Sequence, residues 1–296
     1  MKDDPQMHAL MFARRLCCLV VVGLGVAMLV HDAKAAEELP AATTRWNGFA
    51  VHTVESDGRK GMVVAPGTVA AIPEGRGKPW VWIGEFPHVV TDFETRMLRA
   101  GYHIVYLPTP NQFGMPPAMK AWEAFYYQLT NKYGFDRKPA LVGISRGGLY
   151  VYSWAALHPD RVSSIYSDAP VCNILSWPGG KSQGAAFKGP GSEPNWKMLK
   201  ELAGLATDAE MATAGLSPID KLEPLAKAKL PLLHVYGDAD EVVPWDENTG
   251  ELAKRYQALG GEIRLIPKPG VKHHPHGLPD STPIVEFVTT NWDLAK

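Results

Sequence analysis

The sequence predicts an α/β protein in which a mostly parallel, eight-stranded sheet is flanked by helices. Two observations support this fold class. Short apolar runs typical of buried strands alternate with longer helical runs from residue 80 onward, and this alternation is typical of parallel sheets with helical connections. The composition is also globular, since 46% of the 296 residues are apolar and 21% are charged.

The first two strand-like runs predict an antiparallel hairpin, because the turn residues Ser56-Asp57-Gly58 join them. The other six runs alternate with helices and are predicted to be parallel. The predicted strands span residues 49–55, 61–65, 80–84, 103–107, 140–144, 163–167, 232–236 and 262–266. The predicted helices span residues 92–100, 119–132, 148–157, 246–259 and 283–292.

One long segment interrupts the alternation. Residues 171–230 lie between the sixth and seventh predicted strands and contain only short helical patterns among Gly, Pro, Lys and Ser residues. Long excursions of this kind commonly form active-site lids, so the segment is predicted to be a lid or cap inserted into the main domain. A packed surface insertion with no role in function is the alternative.

The first 35 residues have the organisation of a secretory signal peptide. Arg14 and Arg15 precede an apolar run at residues 16–30, and Ala33-Lys34-Ala35 supplies the small residues of a cleavage site. Cleavage after Ala35 predicts a secreted or periplasmic protein whose mature domain spans residues 36–296. A retained membrane anchor is the alternative, but this apolar run is short for a span of about 20 residues. No stable membrane insertion is therefore expected after cleavage.

Charge and cysteine content narrow the possible partners and chemistry. A formal net charge of −1 and a pI near 6.8 provide no overall basic field, which argues against nucleic acid as a partner. Removal of residues 1–35 leaves Cys172 as the single cysteine, so no internal disulfide is expected. Cys172 is predicted to be a buried, inert thiol. The sequence specifies no oligomeric state.

A Gly-x-Ser-x-Gly pattern at Gly143-Ile144-Ser145-Arg146-Gly147 lies between a predicted buried strand and a predicted helix. A sharp turn between strand and helix lifts a serine hydroxyl clear of the sheet and turns the next backbone N–H toward a substrate oxygen. Ser145 is therefore the candidate nucleophile. The alternative is a tight turn whose serine only caps the helix.

A serine nucleophile needs a base and an acid that orients the base. Asp238 and Asp240 follow the predicted strand at 232–236, and three histidines follow the last predicted strand in His273-His274-Pro275-His276. The chain order Ser, Asp, His puts each group at the carboxyl end of a strand. Open parallel sheets hold their ligands at that edge.

Four segments together carry a family resemblance. They are Ser145-Arg146-Gly147-Gly148, Asp168-Ala169-Pro170-Val171-Cys172, Ser176-Trp177-Pro178-Gly179-Gly180-Lys181 and His273-His274-Pro275-His276-Gly277-Leu278. On these segments, residues 46–292 resemble the serine-dependent, esterase-like α/β-hydrolases, and more narrowly a group of exported bacterial hydrolases. The resemblance implies the α/β-hydrolase fold, a Ser-His-Asp triad and hydrolysis without a cofactor.

The resemblance implies an acid for the triad. Asp240 matches the family pattern in which an Asp precedes two residues and a Val-Pro pair. Asp238 is an alternative, although an Asp at this point commonly closes a turn by accepting backbone N–H bonds. Asp168, after the sixth predicted strand, occupies an acid position used by some relatives.

The base is taken from the same resemblance. His273 lies nearest the Gly-x-x-His arrangement that the family uses after its last strand, with Lys272 where a Gly is usual. His276 is the main alternative and His274 the third. Three neighbouring histidines also suggest zinc, but no acidic or Cys ligand accompanies them at metal-binding spacing, so no metal is predicted.

The resemblance further implies an oxyanion hole made by two backbone N–H groups. Arg146 supplies one, and Phe86 or Glu85 supplies the other. Glu85 departs from the His-Gly found in many relatives, and Arg146 is an attractive partner for its charge. Arg146 is alternatively an exposed cation or a clamp for an acidic group of the substrate.

Two residues are predicted to bind substrate, Glu85 and Trp177. Trp177 belongs to a set of aromatic residues in the loops around the site, which also includes Phe113, Trp196 and Trp245. Flat rings at the edge of a cleft stack on sugar or aryl faces. The alternative is that these rings are core residues, as most large aromatic side chains are.

The predicted function is that of a secreted serine hydrolase that cleaves carboxylic esters through an acyl-enzyme. Esters are favoured because they are the commonest substrates of the family, and predicted export together with aromatic loop residues favours small or polymer-linked esters of carbohydrates and plant polymers. Two alternatives belong to other classes: a non-catalytic binding protein on the same fold, and a metal-dependent hydrolase that uses the cluster at 273–276.

Overall fold

A nine-stranded mixed sheet forms the centre of the protein in the computed structural model, which describes residues 36–184 and 187–295. The strands are β1 (Ala42–Trp46), β2 (Phe49–Ser56), β3 (Arg59–Ala65), β4 (Trp80–Ile83), β5 (His103–Tyr106), β6 (Ala140–Ile144), β7 (Ser164–Asp168), β8 (Leu232–Gly237) and β9 (Ile263–Lys268). Their spatial order is β1-β2-β3-β5-β4-β6-β7-β8-β9. The predicted signal peptide, residues 1–35, lies outside the described residues.

The strand pairing is parallel over most of the sheet and antiparallel at one edge. Strands β4 to β9 run parallel to one another, and β1, β2 and β3 join them through antiparallel pairs. The predicted hairpin is present as β2 and β3. The prediction of eight strands is wrong, because β1 was missed. Its sequence, Ala42–Trp46, is largely exposed and lacks the apolar alternation by which a strand is detected.

The described part of the chain contains eight α-helices, of which seven lie between strands and the last follows β9. They are α1 (Thr91–Arg99), α2 (Pro116–Lys132), α3 (Gly147–Leu157), α4 (Glu193–Ala203), α5 (Asp208–Thr213), α6 (Glu223–Lys227), α7 (Glu251–Ala258) and α8 (Thr282–Leu294). The predicted helix at 246–259 is divided in two, because a wider turn at Asp246–Gly250 precedes α7.

The core lies on both faces of the sheet, and β4 shows how the sequence produces this. Side chains alternate along a strand, so Trp80 and Trp82 point to one face and Val81 and Ile83 to the other. All four are fully buried. A strand that is apolar at every position is expected at the centre of a sheet with helices on both sides.

Aromatic rings dominate the face that α2 and α3 cover. Trp82 of β4 stacks on Trp122 of α2 with ring centroids 4.1 Å apart and meets Trp154 of α3 edge-on at 5.1 Å. Truncating one such ring to alanine costs roughly 3–5 kcal/mol of stability. These contacts hold α3 against the sheet and so position its first turn, which follows Ser145.

Residues 171–230 form an insertion between β7 and β8 that includes α4, α5 and α6. Trp196 and Leu199 of α4 are buried in the same core as Trp82, and the indole N–H of Trp196 donates to Asp208 at the start of α5. The insertion is therefore packed onto the main domain. Its role as a lid stays a prediction.

The described residues include no helix that is long and apolar enough to cross a membrane. Cys172, the one cysteine in residues 36–184 and 187–295, is fully buried where the insertion begins. Burial raises the pKa of its thiol well above the ordinary value. The thiolate is thereby disfavoured, as expected for a structural cysteine.

Candidate active site

Ser145 lies in a sharp turn between the end of β6 and the start of α3. Its φ of +49° is in the left-handed region, which costs a non-glycine residue roughly 1–3 kcal/mol. Two glycines give the turn its room. A Cβ on Gly143 would lie 2.7 Å from the Val151 side chain, and one on Gly148 would lie 2.8 Å from the Val171 carbonyl oxygen. The predicted strand-turn-helix context is present, and it lifts the hydroxyl above the sheet edge.

A line of hydrogen bonds connects Ser145 to His273 and His273 to Asp240. The Ser145 Oγ lies 3.0 Å from the His273 Nε2, and the His273 Nδ1 lies 2.7 Å from the Asp240 Oδ2. An ionised carboxylate only accepts hydrogen bonds, so the His273 proton resides on Nδ1 and Nε2 is left to accept from the serine hydroxyl. His273 and Asp240 are both buried. This is the arrangement that general-base activation of a serine requires.

Asp240 is held by the backbone that follows it. Its Oδ1 accepts hydrogen bonds from the N–H groups of Val242 and Val243, at 2.8 and 2.9 Å. The other oxygen is thereby aimed at His273. Asp238, the alternative acid in the same loop, instead accepts from the backbone N–H of Gly270 at 2.6 Å and closes a turn.

The remaining candidate acid and base pair with each other. The Asp168 Oδ1 lies 2.8 Å from the His276 Nδ1, and the Asp168 Oδ2 accepts from the Gly277 N–H at 2.8 Å. His274 lies on the exposed side of the loop. Its pKa is lowered by partial burial and by the neighbouring imidazoles of His276 and His273. Of the three histidines, His273 is the one hydrogen-bonded to Ser145.

The same three imidazoles are the candidate metal ligands in the described residues. One nitrogen from each of His273, His274 and His276 falls within 4.8 Å of the others. Both nitrogens of His273 already bind Ser145 and Asp240, and the Nδ1 of His276 binds Asp168. A metal here would have to displace Ser145 from its base. The donor set therefore fits a proton relay better than a metal centre.

The predicted oxyanion donors lie on two backbones in close contact. A Cβ on Gly84 would approach the Gly147 carbonyl oxygen to 2.8 Å, so the loop after β4 runs directly against the start of α3. Phe86 in this loop has a φ of +59°. Among the hydrogen bonds of the described residues, none uses the backbone N–H of Arg146 or Phe86. Both N–H groups are therefore without an acceptor within residues 36–184 and 187–295.

Glu85 and Arg146 form the ion pair that the sequence suggested. The Arg146 Nε and Nη2 donate to the two carboxylate oxygens of Glu85 at 2.8 and 2.5 Å, and little of either side chain is exposed. Burial lowers the pKa of Arg146, but the hydrogen bonds and charge of Glu85 raise it further, above its ordinary value. The carboxylate charge near the oxyanion site is thus neutralised. Substrate binding by Glu85 stays a prediction.

Arg146 also reaches two residues that the sequence analysis did not single out. Its Nη1 donates to the Asn111 Oδ1 at 3.3 Å and to the Asn195 Oδ1 at 3.4 Å. Asn195 belongs to α4 of the insertion, so one guanidinium joins the insertion to the oxyanion loop. No local pattern distinguishes these asparagines from other loop residues, because their partner is distant in sequence.

The aromatic loop residues divide into core and rim. Phe113 and Trp196 are buried, and Trp245 stacks on Tyr236 at 5.0 Å. Trp177 is partly buried, 6.5 Å from Phe113, and Phe86 is 37% exposed next to the Arg146 guanidinium. Contact of Trp177 with substrate stays a prediction.

Several solved protein structures have a fold similar to that of this chain. A puromycin-hydrolyzing peptidase of Mycobacterium tuberculosis has a TM-score of 0.62 at 19% identity, over 81% of this chain and 38% of that chain. Dipeptidyl peptidase 4 of Porphyromonas gingivalis has a TM-score of 0.60 at 15% identity, over 84% and 36%. Acylaminoacyl peptidase of Pyrococcus horikoshii has a TM-score of 0.56 at 20% identity, over 78% and 40%.

The chain has the α/β-hydrolase fold. It spans about two fifths of the length of these structural neighbours. A scan against protein-family models and a search of curated proteins found no match.

The α/β-hydrolase fold explains where the three residues of the relay lie. Ser145, Asp240 and His273 follow β6, β8 and β9, and these parallel strands end at the same edge of the sheet. The fold carries its nucleophile, acid and base at that edge in this chain order. Residues that are 128 positions apart in sequence are thereby brought into hydrogen-bond contact.

Proposed function

We propose that this protein is a serine hydrolase that cleaves carboxylic esters through an acyl-enzyme on Ser145. The observation that carries the proposal is the continuous relay from the Ser145 Oγ through His273 to Asp240, with distances of 3.0 and 2.7 Å. A serine that only capped a helix would have no need of a buried histidine-carboxylate pair. The strained backbone at Ser145 supports the same reading, because strain at a non-glycine residue is concentrated at functional sites.

The reaction follows from the geometry of the relay. The Ser145 Oγ attacks the carbonyl carbon while the His273 Nε2 takes the hydroxyl proton, and Asp240 stabilises the imidazolium. The carbonyl oxygen becomes an oxyanion and accepts hydrogen bonds from the N–H groups of Arg146 and Phe86. The bond to the leaving alcohol then breaks, and His273 returns the proton to the alcohol oxygen. In the second half of the reaction, water attacks the acyl carbon while His273 takes one of its protons. The bond between the acyl carbon and the Ser145 Oγ then breaks, the acid leaves, and His273 returns the proton to the Oγ.

The proposed substrates are carboxylic esters in which either the alcohol part or the acyl part contains a carbohydrate. A polar strip of Asn111, Arg146 and Asn195 lies next to Phe86, whose ring is 37% exposed. Polar groups beside aromatic faces suit a polyhydroxylated ring. The proposed reaction uses no metal, because both nitrogens of His273 are engaged in the relay. Its Nε2 contacts Ser145 and its Nδ1 contacts Asp240.

Peptides are the second candidate substrate, because the structural neighbours named above are peptidases. The same relay serves both bond types, because His273 delivers the proton to the leaving amine of a peptide as it does to the leaving alcohol of an ester. A panel of p-nitrophenyl acetate, butyrate and octanoate, acetylated and feruloylated sugars, and aminoacyl p-nitroanilides separates the two. The ester proposal expects turnover of esters and little of the anilides. Preference for anilides would replace it with a peptidase.

An active-site-directed fluorophosphonate tests the serine chemistry itself. We expect the wild-type protein to be labelled and Ser145→Ala to be unlabelled, while Ser56→Ala in β2 serves as the matched serine control and labels like wild type. A folded wild-type protein without labelling would favour the non-catalytic binding protein. Activity that resists the reagent but is lost with a chelator would favour the metal-dependent hydrolase.

A further inference from the structure

Asp168 contacts both the nucleophile turn and the loop that carries the base. It is the last residue of β7 and is fully buried. Its backbone carbonyl oxygen accepts a hydrogen bond from the Ser145 N–H at 2.9 Å. Its carboxylate binds the His276 side chain and the Gly277 N–H, each at 2.8 Å. One residue thus joins the two halves of the relay without belonging to it.

Lys268 extends this connection. It ends β9, and its ammonium group donates to the Pro275 carbonyl oxygen at 2.8 Å and lies 3.4 Å from the Asp168 Oδ1. Three consecutive residues of the base loop, Pro275, His276 and Gly277, are therefore bound to Asp168 or Lys268. The charges of the buried carboxylate and ammonium also compensate each other.

Side chains, and not the backbone, hold this loop in place. Across the described residues, the backbone–backbone hydrogen bonds include none from residues 273–277. The His273 ring itself is bound by Ser145 and Asp240, and the His276 ring packs edge-on against it with centroids 5.0 Å apart. In the described part of the chain, the hydrogen bonds that hold this loop outside the relay are therefore those of Asp168 and Lys268.

We propose that Asp168, acting through His276, is a positioning residue that sets the approach of the His273 Nε2 to the Ser145 Oγ. The proposal rests on the serine hydrolase function proposed above. Because a displacement of about 1 Å in a reacting group lowers rates by up to about 100-fold, loss of this anchor reduces the chemical step more than substrate binding. Asp168 and His276 were the alternative acid and the alternative base suggested by the sequence. In this proposal they form one hydrogen-bonded pair that supports the relay.

The test compares Asp168→Asn, His276→Ala and His276→Asn with Asp280→Asn. Asp280 is the matched control, since its carboxylate lies just beyond the loop and bonds Thr282 instead. We expect kcat on a p-nitrophenyl ester to fall about 10- to 100-fold in Asp168→Asn and His276→Ala with KM changed less than threefold. His276→Asn places an amide N–H near the former Nδ1 and should recover most of the activity. Asp280→Asn should match wild type.

Two further measurements make the outcome decisive. The rate of fluorophosphonate labelling at Ser145 should fall in parallel with kcat. The double variant Asp168→Asn/His276→Ala should lose no more activity than the worse single variant, because His276 acts through its bond to Asp168. Folded variants that label and turn over at the wild-type rate would overturn the positioning role while leaving the hydrolase intact. Wild-type protein that neither labels nor turns over would instead overturn the proposed function.

Discussion

At the scale of single residues, the buried carboxylates of the site are each held by two or more hydrogen bonds. Asp240 is held by two backbone N–H groups and by His273. Glu85 accepts hydrogen bonds from the Nε and Nη2 of Arg146. Buried carboxylates that are hydrogen-bonded in this way stay in one geometry. The substrate therefore meets an arrangement that is organised before it binds, as electrostatic catalysis requires.

Arg146 illustrates the consequence for specificity. Its guanidinium binds Glu85, so we expect Arg146→Lys and Glu85→Gln each to lower kcat/KM on a neutral ester about 10-fold, because a disordered oxyanion loop misplaces its N–H. Arg161→Lys, in the turn that follows α3, is the control. Kinetics on paired neutral and anionic esters provide the check. A loss confined to the KM of anionic esters would make Arg146 a substrate clamp instead.

At the scale of elements, the contact between the start of α3 and the loop after β7 constrains the position of the nucleophile. A Cβ on Gly148 would lie 2.8 Å from the Val171 carbonyl oxygen and 2.9 Å from the Pro170 side chain. The helix therefore begins against a backbone that leaves no space for a side chain. The position of Ser145 depends on this approach, since its N–H bonds to Asp168 in the same segment.

Gly148→Ala tests this contact. We expect the free energy of unfolding to fall by roughly 1–3 kcal/mol, as in overpacked cores, together with a loss of activity from displacement of Ser145. Gly67→Ala is the matched control, because a Cβ there meets nothing within 4 Å. Urea unfolding and ester kinetics on both variants supply the measurements. Equal stability of the two variants would show that the helix yields without strain.

The elements also show how far the sequence can predict this structure. Periodic apolar runs predicted every strand except β1, whose exposed polar residues leave no pattern. The order of Ser145, Asp240 and His273 could be assigned because the parallel strands that carry them end at one edge. The bond between Asp168 and His276 and those of Arg146 to Asn111 and Asn195 could not, because loop geometry, and not periodicity, creates them.

At the scale of the whole molecule, burial of neutral histidines makes stability depend on pH. Burial lowers the pKa of His234 to about 3, and that of His103 to about 4. Both stay neutral in the native state, while the unfolded chain binds protons near pH 6.5. The contribution of the two histidines to the free energy of unfolding is fully present above pH 6.5. It is lost as the pH falls toward their native pKa values.

We therefore expect the free energy of unfolding to decrease between pH 6.5 and 5 by about 1 kcal/mol per pH unit for each buried histidine. His234→Gln should reduce this slope, since glutamine does not titrate. Urea denaturation at pH 7, 6 and 5 measures the slope for both proteins. An unchanged slope in the variant would mean that His234 is not the group that takes up the proton.

Export is a further whole-molecule proposal. We expect the full-length chain, expressed in a Gram-negative host, to appear in the periplasm with Ala36 as its first residue, because the residues before it have the pattern of a signal peptide. Intact-mass spectrometry of the periplasmic fraction gives the cleavage site. Full-length mass in the membrane fraction would support the retained anchor.

The stacked indoles of β4 and α2 have a practical consequence. Trp82 and Trp122 lie 4.1 Å apart at an interplanar angle of 19°, inside the domain that carries the relay. Because rings this close couple their electronic transitions, we expect native packing to produce a circular dichroism band that is lost when the helix leaves the sheet. The Trp122→Phe variant removes this indole pair while Trp80 and Trp154 stay within 5.2 Å of Trp82, so the difference spectrum would identify the signal of the pair.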